Sequence, residues 1–305
     1  MNDWFTLSLL IFAGVVVFLL ALIYLKERRL IKYCEQIIKK NSLTFYKAFS
    51  KIENKKQRQA IYVVYAFCRY ADDLIDEHQD INGLNQLELE LEAFKNHKKT
   101  SLKVFKALSL IKDQFYGENY DYQPYFEMIQ GQRMDITIAS YETMDDVLEY
   151  CYYVASSVGL MLLPILAPDK HQELKEFAIQ LGYAMQITNF LRDVGEDYLK
   201  GRIYIPQESL KKHQVSIEHD FKNGPTVSFK ALFDELASQA RQYYQYAYEH
   251  IDAFSQDVRK PLLYAAKLYE AILDECMTDY NVFTKKHFVS HAKKIDIIKG
   301  LQKNL

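Results

Sequence analysis

The chain is short of the residues that break a polypeptide into turns. Ten glycines and six prolines in 305 residues are under half the usual shares of ~7% and ~5%, which argues against sandwiches and propellers and favours long helices. Four cysteines, Cys34, Cys68, Cys151 and Cys276, are scattered singly. With no C-x-x-C pair or Cys/His spacing there is no zinc site to read, and the thiols are expected to be packing residues in a reducing compartment. Charge of one sign is also lacking: 38 Lys and Arg against 40 Asp and Glu leave −2, so no overall field draws in nucleic acid. Phosphate-binding glycine loops, long alternating strands and repeats of ~20 to 50 residues are missing too, which weighs against mononucleotide-type and solenoid folds.

What is present begins with an apolar run. From Phe5 to Leu25 there are 21 residues without a charge, which at ~1.5 Å per residue span ~31 Å of hydrocarbon. Trp4 and Tyr24 flank the run, and Lys26, Arg28, Arg29 and Lys32 follow it against a lone Asp3 before it. By the positive-inside rule, residues 1–28 are expected to be a membrane anchor in contact with lipid, and residues 29–305 a single helical domain in the cytoplasm. A cleaved signal peptide is the alternative, opposed by an n-region without Lys or Arg and by the lack of a small-residue cleavage site. A core helix covered on every face is the other.

The rest reads as helices separated by polar breaks at 78–85, 96–101, 117–124, 167–171 and 222–226, with no linker dividing it. The tail from Lys285 to Leu305 carries six Lys against one Asp, with Phe288, Val289, Ala292, Ile295, Ile298 and Leu301 near helical spacing. Such a helix is expected to pack on the body; lying on an anionic membrane surface is the alternative.

Two acidic helical faces carry the chemistry. In Tyr65-x3-Arg69-x2-Asp72-Asp73-x2-Asp76, Asp72 and Asp76 project from one face a turn apart, with Arg69 on the same side. A solvated surface is the bland reading of such a cluster. In the second stretch Gln186, Asn189, Asp193 and Asp197 form a continuous polar stripe on an otherwise apolar helix. Buried carboxylates need a cation or a hydrogen-bonding partner, and an ion pair with Arg192 would be the structural answer. Hard oxygen ligands on opposed helices suit Mg²⁺, which takes one or two carboxylates plus substrate phosphate oxygens. With Arg69 and Arg202, such a site could stabilise a departing diphosphate and leave an allylic carbocation, which aromatic faces attract.

These segments resemble the squalene/phytoene synthase family. Leu181-Gly182-x3-Gln186-x2-Asn189-Phe190-x-Arg192-Asp193-Val194-x2-Asp197-x4-Arg202-x-Tyr204-x-Pro206 follows the family's second aspartate motif position by position. The Tyr65 to Asp76 stretch resembles its first. Tyr150-Cys151-Tyr-Tyr-Val154-Ala155-Ser-Ser-Val158-Gly159 is similar to its Tyr-rich helix, with Ser157 as a departure, and Ser42-Leu43-Thr44-Phe45 to its Ser-x-Ser-Phe. The resemblance implies an all-α isoprenoid synthase fold around a central cavity. It implies that Asp72, Asp76, Asn189, Asp193 and Asp197 hold two or three Mg²⁺ ions bridging diphosphate, with Gln186 beside them. It further implies that Arg69, Arg202 and Tyr204 contact diphosphate, that Tyr150 moves a proton late in the reaction, and that Tyr65 and Val154 line the site with Ser42 and Phe45. Two prenyl diphosphates would join head to head through a cyclopropylcarbinyl diphosphate. Spacing is most similar to the bacterial dehydrosqualene synthases, for which NADPH is not required, and Phe49 and Tyr62 align with bulky residues flooring the pocket, favouring farnesyl over geranylgeranyl diphosphate; ordinary core packing is the alternative for either ring. A C20-using phytoene synthase, an NADPH-dependent squalene synthase and a membrane-anchored helical assembly factor are the alternatives.

Overall fold

Sparse turn residues and long 3.6-residue periodicity yield helices throughout the computed structural model, which describes residues 3–118 and 120–303. Helix α1 is Asp3–Asn41, α2 Leu43–Phe49, α3 Lys55–Asp76, α4 Ile81–Lys95, α5 Lys103–Phe115, α6 Gln123–Thr137 and α7 Met144–Cys151. A π-helical turn, Tyr152–Ser156, joins α7 to α8, Ser157–Leu166. Then come α9 Lys175–Leu199, α10 Gln207–His213, α11 Ile217–Asn223, α12 Val227–His250, α13 Gln256–Cys276 and α14 His291–Lys303. Among the described residues no strand forms, and Ser140 and Ile203 make an isolated parallel bridge.

Side-chain caps set several of the starts. The Asn54 side chain accepts from the Lys56 and Gln57 N–H groups at 3.0 and 3.3 Å and opens α3. Thr143 and Asp146 form a capping box on α7. Asp80 accepts from the Gly83 N–H at 2.8 Å, so α4 begins at Ile81 and the expected break at 78–85 ends earlier than composition suggests.

Helix α9 is the axis of the body, packed against α8, α12, α13 and the π-helical turn. A Cβ at Gly182 would stand 2.6 Å from the Ser156 Cα, so glycine is what lets α9 and that turn touch. Helix α3 lies between α1, α5, α6 and α8. All four cysteines are free and buried, as packing residues should be.

Helix α1 runs as one unbroken rod through residue 28. Its apolar half stands clear of the body: no residue of the most apolar window near the N-terminus is buried. Packing begins at Leu30 and Ile31 and continues through Cys34 and Ile38, a helical spacing that seats this face on the core. A second apolar stretch, Met144–Leu166, belongs to the body, where 44% of its apolar window is buried.

The tail differs from its expected form. Residues 277–290 are a strap rather than a helix, and the helix starts only at His291. The strap is held by α9 itself, because the Gly195 N–H donates to the Val282 carbonyl at 3.1 Å. Beyond it, Ile297, Ile298 and Leu301 of α14 pack on Ala48, Tyr264, Ala265 and Leu268, whereas Phe288 and Ile295 are exposed.

Candidate active site

Helices α3 and α9 grade from apolar to charged in the same direction. Along α3 the cavity-lining face passes from Ile61 and Val64 to Asp72 and Asp76; along α9 it passes from Phe177 and Leu181 to Asp193 and Asp197. Fifteen residues of α3 separate Ile61 from Asp76, about 22 Å of helix. Between them lies a cavity of about 560 Å³ with a charged mouth and an apolar interior, a size and lining that suit a small ligand with a polar head.

The cavity brings together the residues singled out in the sequence. Ser42, Phe45, Phe49, Tyr65, Arg69, Asp72, Asp76, Tyr150, Val154, Gln186, Asn189, Asp193, Asp197, Arg202 and Tyr204 all line it. Tyr62 does not. It is buried behind the wall, its ring 5.9 Å from that of Tyr46, because its position on α3 turns it toward α1 and α2 while Ile61 and Tyr65 turn inward. Phe49 keeps the expected place, and Phe45 stacks on Tyr269 at 5.3 Å in the same wall.

Charges at the mouth are partly paired within the protein. Arg69 bonds Asp73 and reaches Glu77 at 3.1 Å, and Arg202 lies 3.3 Å from Asp76. Arg192 pairs with Asp193, as the structural reading of that stripe expected. Lys286 of the strap sits 2.7 Å from Glu196 and 3.5 Å from Asp193; the lysine bonds from Lys286 and then Lys200 pull Glu196 down to about 2. The polar stripe on α9 is not a straight line. The helix kinks at Asp193, with φ −107° and ψ 16°, because the Gly195 N–H is taken by the strap instead of the helix ladder.

The donor set fits a hard divalent cation. Among the described residues no three carboxylate, imidazole or thiol groups converge into a ready-made cage. The carboxylates stand instead at the C-terminal ends of two helices, where the helix dipole opposes negative charge. Burial, and then the charge of Asp76, pushes Asp72 up to about 7, with Gln132 donating to it at 2.8 Å. Burial, and then Asp193, does the same to Asp197, also to about 7. The Asn189 Oδ1 is buried without a hydrogen-bond partner, and its amide nitrogen donates to Gln186 at 3.2 Å. Acceptors so crowded are those that a cation shared with substrate phosphates relieves.

Two residues escaped the sequence reading. Gln132 and Asp135 of α6 line the same cavity, and Asp135 Oδ1 accepts from Tyr150 at 2.6 Å and Tyr204 at 2.7 Å. Burial raises the Asp135 carboxyl, while the tyrosine bonds draw it partly back. Their i, i+3 spacing on α6 is the available signal, but one such pair on an ordinary amphipathic helix stands out from no background.

Comparison with known proteins places this geometry. Residues 38–291 match the family model described as squalene/phytoene synthase. The chain is 34% identical over 275 residues to a 4,4'-diapophytoene synthase of Staphylococcus haemolyticus, covering 89% of this chain and 96% of that one. It is also 34% identical over 272 residues to phytoene synthase 2 of Solanum lycopersicum, covering 86% of each. A crystal structure of a dehydrosqualene synthase in complex with ligand superposes with a TM-score of 0.86 at 41% identity, over 92% of this chain and 98% of that chain. An all-α body of the isoprenoid synthase type, two opposed aspartate helices and these similarities lead to one conclusion: the chain belongs to the squalene/phytoene synthase family.

Proposed function

We propose that this protein joins two prenyl diphosphates head to head, with farnesyl diphosphate as substrate and dehydrosqualene, a carotenoid precursor, as product. The observation that carries the reading is the graded cavity, in which a charged mouth for diphosphate opens on an apolar interior for the isoprenoid chain. Bound Mg²⁺, held by Asp72, Asp76, Asn189, Asp193 and Asp197, would offset the negative charge of the leaving diphosphate. The protein's own groups do the rest. Arg69 and Arg202 steady the diphosphate, Tyr65 and Phe190 face the cavity with π-electrons that favour a cation, and the closed apolar wall keeps water from the carbocation. The first ionisation, capture by the second chain's double bond and loss of a proton from C1 close a cyclopropylcarbinyl diphosphate; a second ionisation, rearrangement and a second proton loss give the linear product.

Phe49, which lines the cavity, favours a C15 over a C20 chain. The curated relatives named 4,4'-diapophytoene synthase and phytoene synthase match equally well at 34%, and the dehydrosqualene synthase structure at 41% supports the C15 reading. NADPH is not required in this reading. The apolar half of α1 anchors the protein in a membrane, with the catalytic body in the cytoplasm beside Lys26, Arg28, Arg29 and Lys32; its support is an apolar window near the N-terminus of mean hydropathy 2.8 with none of it buried.

The test is release of diphosphate from farnesyl diphosphate by the purified protein. Turnover should require Mg²⁺, stop with a chelator, and fall at least ~1,000-fold in an Asp72→Asn, Asp193→Asn double variant of unchanged helicity. Undiminished turnover by that variant would refute the metal assignment.

A further inference from the structure

The Tyr150 hydroxyl is nearly enclosed, and its proton is already committed. It donates to Asp135 Oδ1 at 2.6 Å, and Tyr204 donates to the same oxygen at 2.7 Å. The two phenol oxygens lie 3.4 Å apart, and the three rings of Tyr150, Tyr204 and Phe190 stack in one wall, with centroids 4.5 to 5.9 Å apart. Asp135, Tyr150 and Tyr204 all line the cavity. A hydroxyl whose hydrogen points at a carboxylate keeps its lone pairs for something else, and rings so stacked cannot turn it away. A buried carboxylate at Asp135 is costly, and the two tyrosine bonds together with the Arg202 charge are what hold it there, facing the cavity.

The geometry points to a proton relay: Asp135, acting through Tyr150, takes up the proton whose loss ends the reaction. The inference rests on the head-to-head reading above. In the step itself, a C–H bond next to the final carbocation breaks and its electron pair becomes the new C=C π bond. The proton adds to Tyr150 Oη as the phenol's own proton passes to Asp135 Oδ1. The cation is thereby quenched, Tyr150 stays neutral, and Asp135 ends as a carboxylic acid that returns its proton to solvent when product leaves. Tyr204, bound to the same oxygen, positions the acceptor. Asp135 is therefore a positioning and proton-accepting residue, while Tyr150 is the group that touches the reacting atoms.

The full chain with Asp135→Asn tests this, since the amide keeps the shape and both tyrosine bonds but cannot accept the proton. Three readouts are needed: cyclopropylcarbinyl diphosphate formed, hydrocarbon formed, and the isotope effect on hydrocarbon formation when C1-deuterated cyclopropylcarbinyl diphosphate is itself supplied, because forming that intermediate also removes a C1 proton. The variant's loss should fall at least ~10-fold more heavily on hydrocarbon formation than on cyclopropylcarbinyl diphosphate formation. Hydrocarbon kcat should fall ~100-fold, the usual worth of a positioned acid or base, and a primary isotope effect should emerge on hydrocarbon formation. Asp135→Glu should recover part of the loss. Tyr150→Phe should show the same pattern, and the double variant should be no worse than either single one. An equal fall in both halves, hydrocarbon at the parent rate, or no isotope effect would each overturn the relay. Should the parent protein form no cyclopropylcarbinyl diphosphate at all, the head-to-head reading falls first, and the relay with it.

Discussion

Glu90 is a buried carboxylate with a purely structural task. It accepts from the Ser101 and Leu102 N–H groups at 2.8 and 2.9 Å and from the Ser101 hydroxyl, tying α4 to the start of α5. Burial opposes its charge, but those bonds outweigh it and hold Glu90 below the ordinary 4.5. A lowered folded pKa means that the unfolded chain takes up the proton first, so the stabilisation is complete above about pH 4.5 and is lost as pH falls below that value. Glu90→Ala should cost about 2 kcal/mol at pH 7. Urea unfolding midpoints of parent and variant should then converge as pH falls below 4. A different residue, Phe49, bears on chain length. Phe49→Ala should lengthen the apolar end and raise turnover of geranylgeranyl diphosphate relative to farnesyl diphosphate by ~10-fold or more, read by competition between the two. An unchanged ratio would remove Phe49 from the specificity argument. Residue by residue, the aspartates were legible because charge on an apolar helix has few explanations. Asp135 was not, because its partners Tyr150 and Tyr204 are distant in sequence, and Tyr62 packs as a core ring behind the wall because a neighbouring position on α3 suffices to turn a ring out of the cavity.

Among the elements, the strap at 277–290 shows most clearly where periodicity misleads. From Lys285 its apolar and lysine spacing reads as the first turns of a helix, yet residues 285–290 are not helical, and a tertiary bond from Gly195 to Val282 ties the strap to α9 and bends that helix at Asp193. The strap thereby brings Lys286 to Glu196 and Asp193. Glycine is obligatory at 195, since a Cβ there would fall on the Phe283 backbone. Gly195→Ala should therefore displace the strap, cost ~1–3 kcal/mol as an overpacked site, and lower kcat; a variant with parent melting temperature and parent kcat would contradict this account of the kink. The aspartate helices and the tail helix after His291 were readable from their patterns. The kink and the strap depend on contacts between segments some 90 residues apart, as the Glu196–Lys286 bond measures, and local pattern does not carry that information.

In the proposed reading the product is a water-insoluble hydrocarbon, and the shape of the whole molecule bears on how it leaves. Helix α1 joins the apolar segment to the cavity wall without a break, and Ile38 and Asn41 at its far end line that wall. The catalytic body is thus held at a fixed distance from whatever the apolar half occupies, which in the proposed reading is a bilayer. A chain lacking residues 1–28 should melt within ~3 °C of the full chain, because none of the described side chains in that stretch is buried. It should also leave the membrane fraction and transfer product to added vesicles more slowly; transfer as fast as by the full chain would sever anchor from product release. The central claim, head-to-head joining of two C15 diphosphates, is tested most directly by product analysis. Purified full-length protein with Mg²⁺ would receive farnesyl or geranylgeranyl diphosphate, each with and without NADPH. A C30 hydrocarbon with a conjugated triene core should form from farnesyl diphosphate, unaffected by NADPH. A C40 product in preference, squalene formed only with NADPH, or no product from either substrate would contradict that claim.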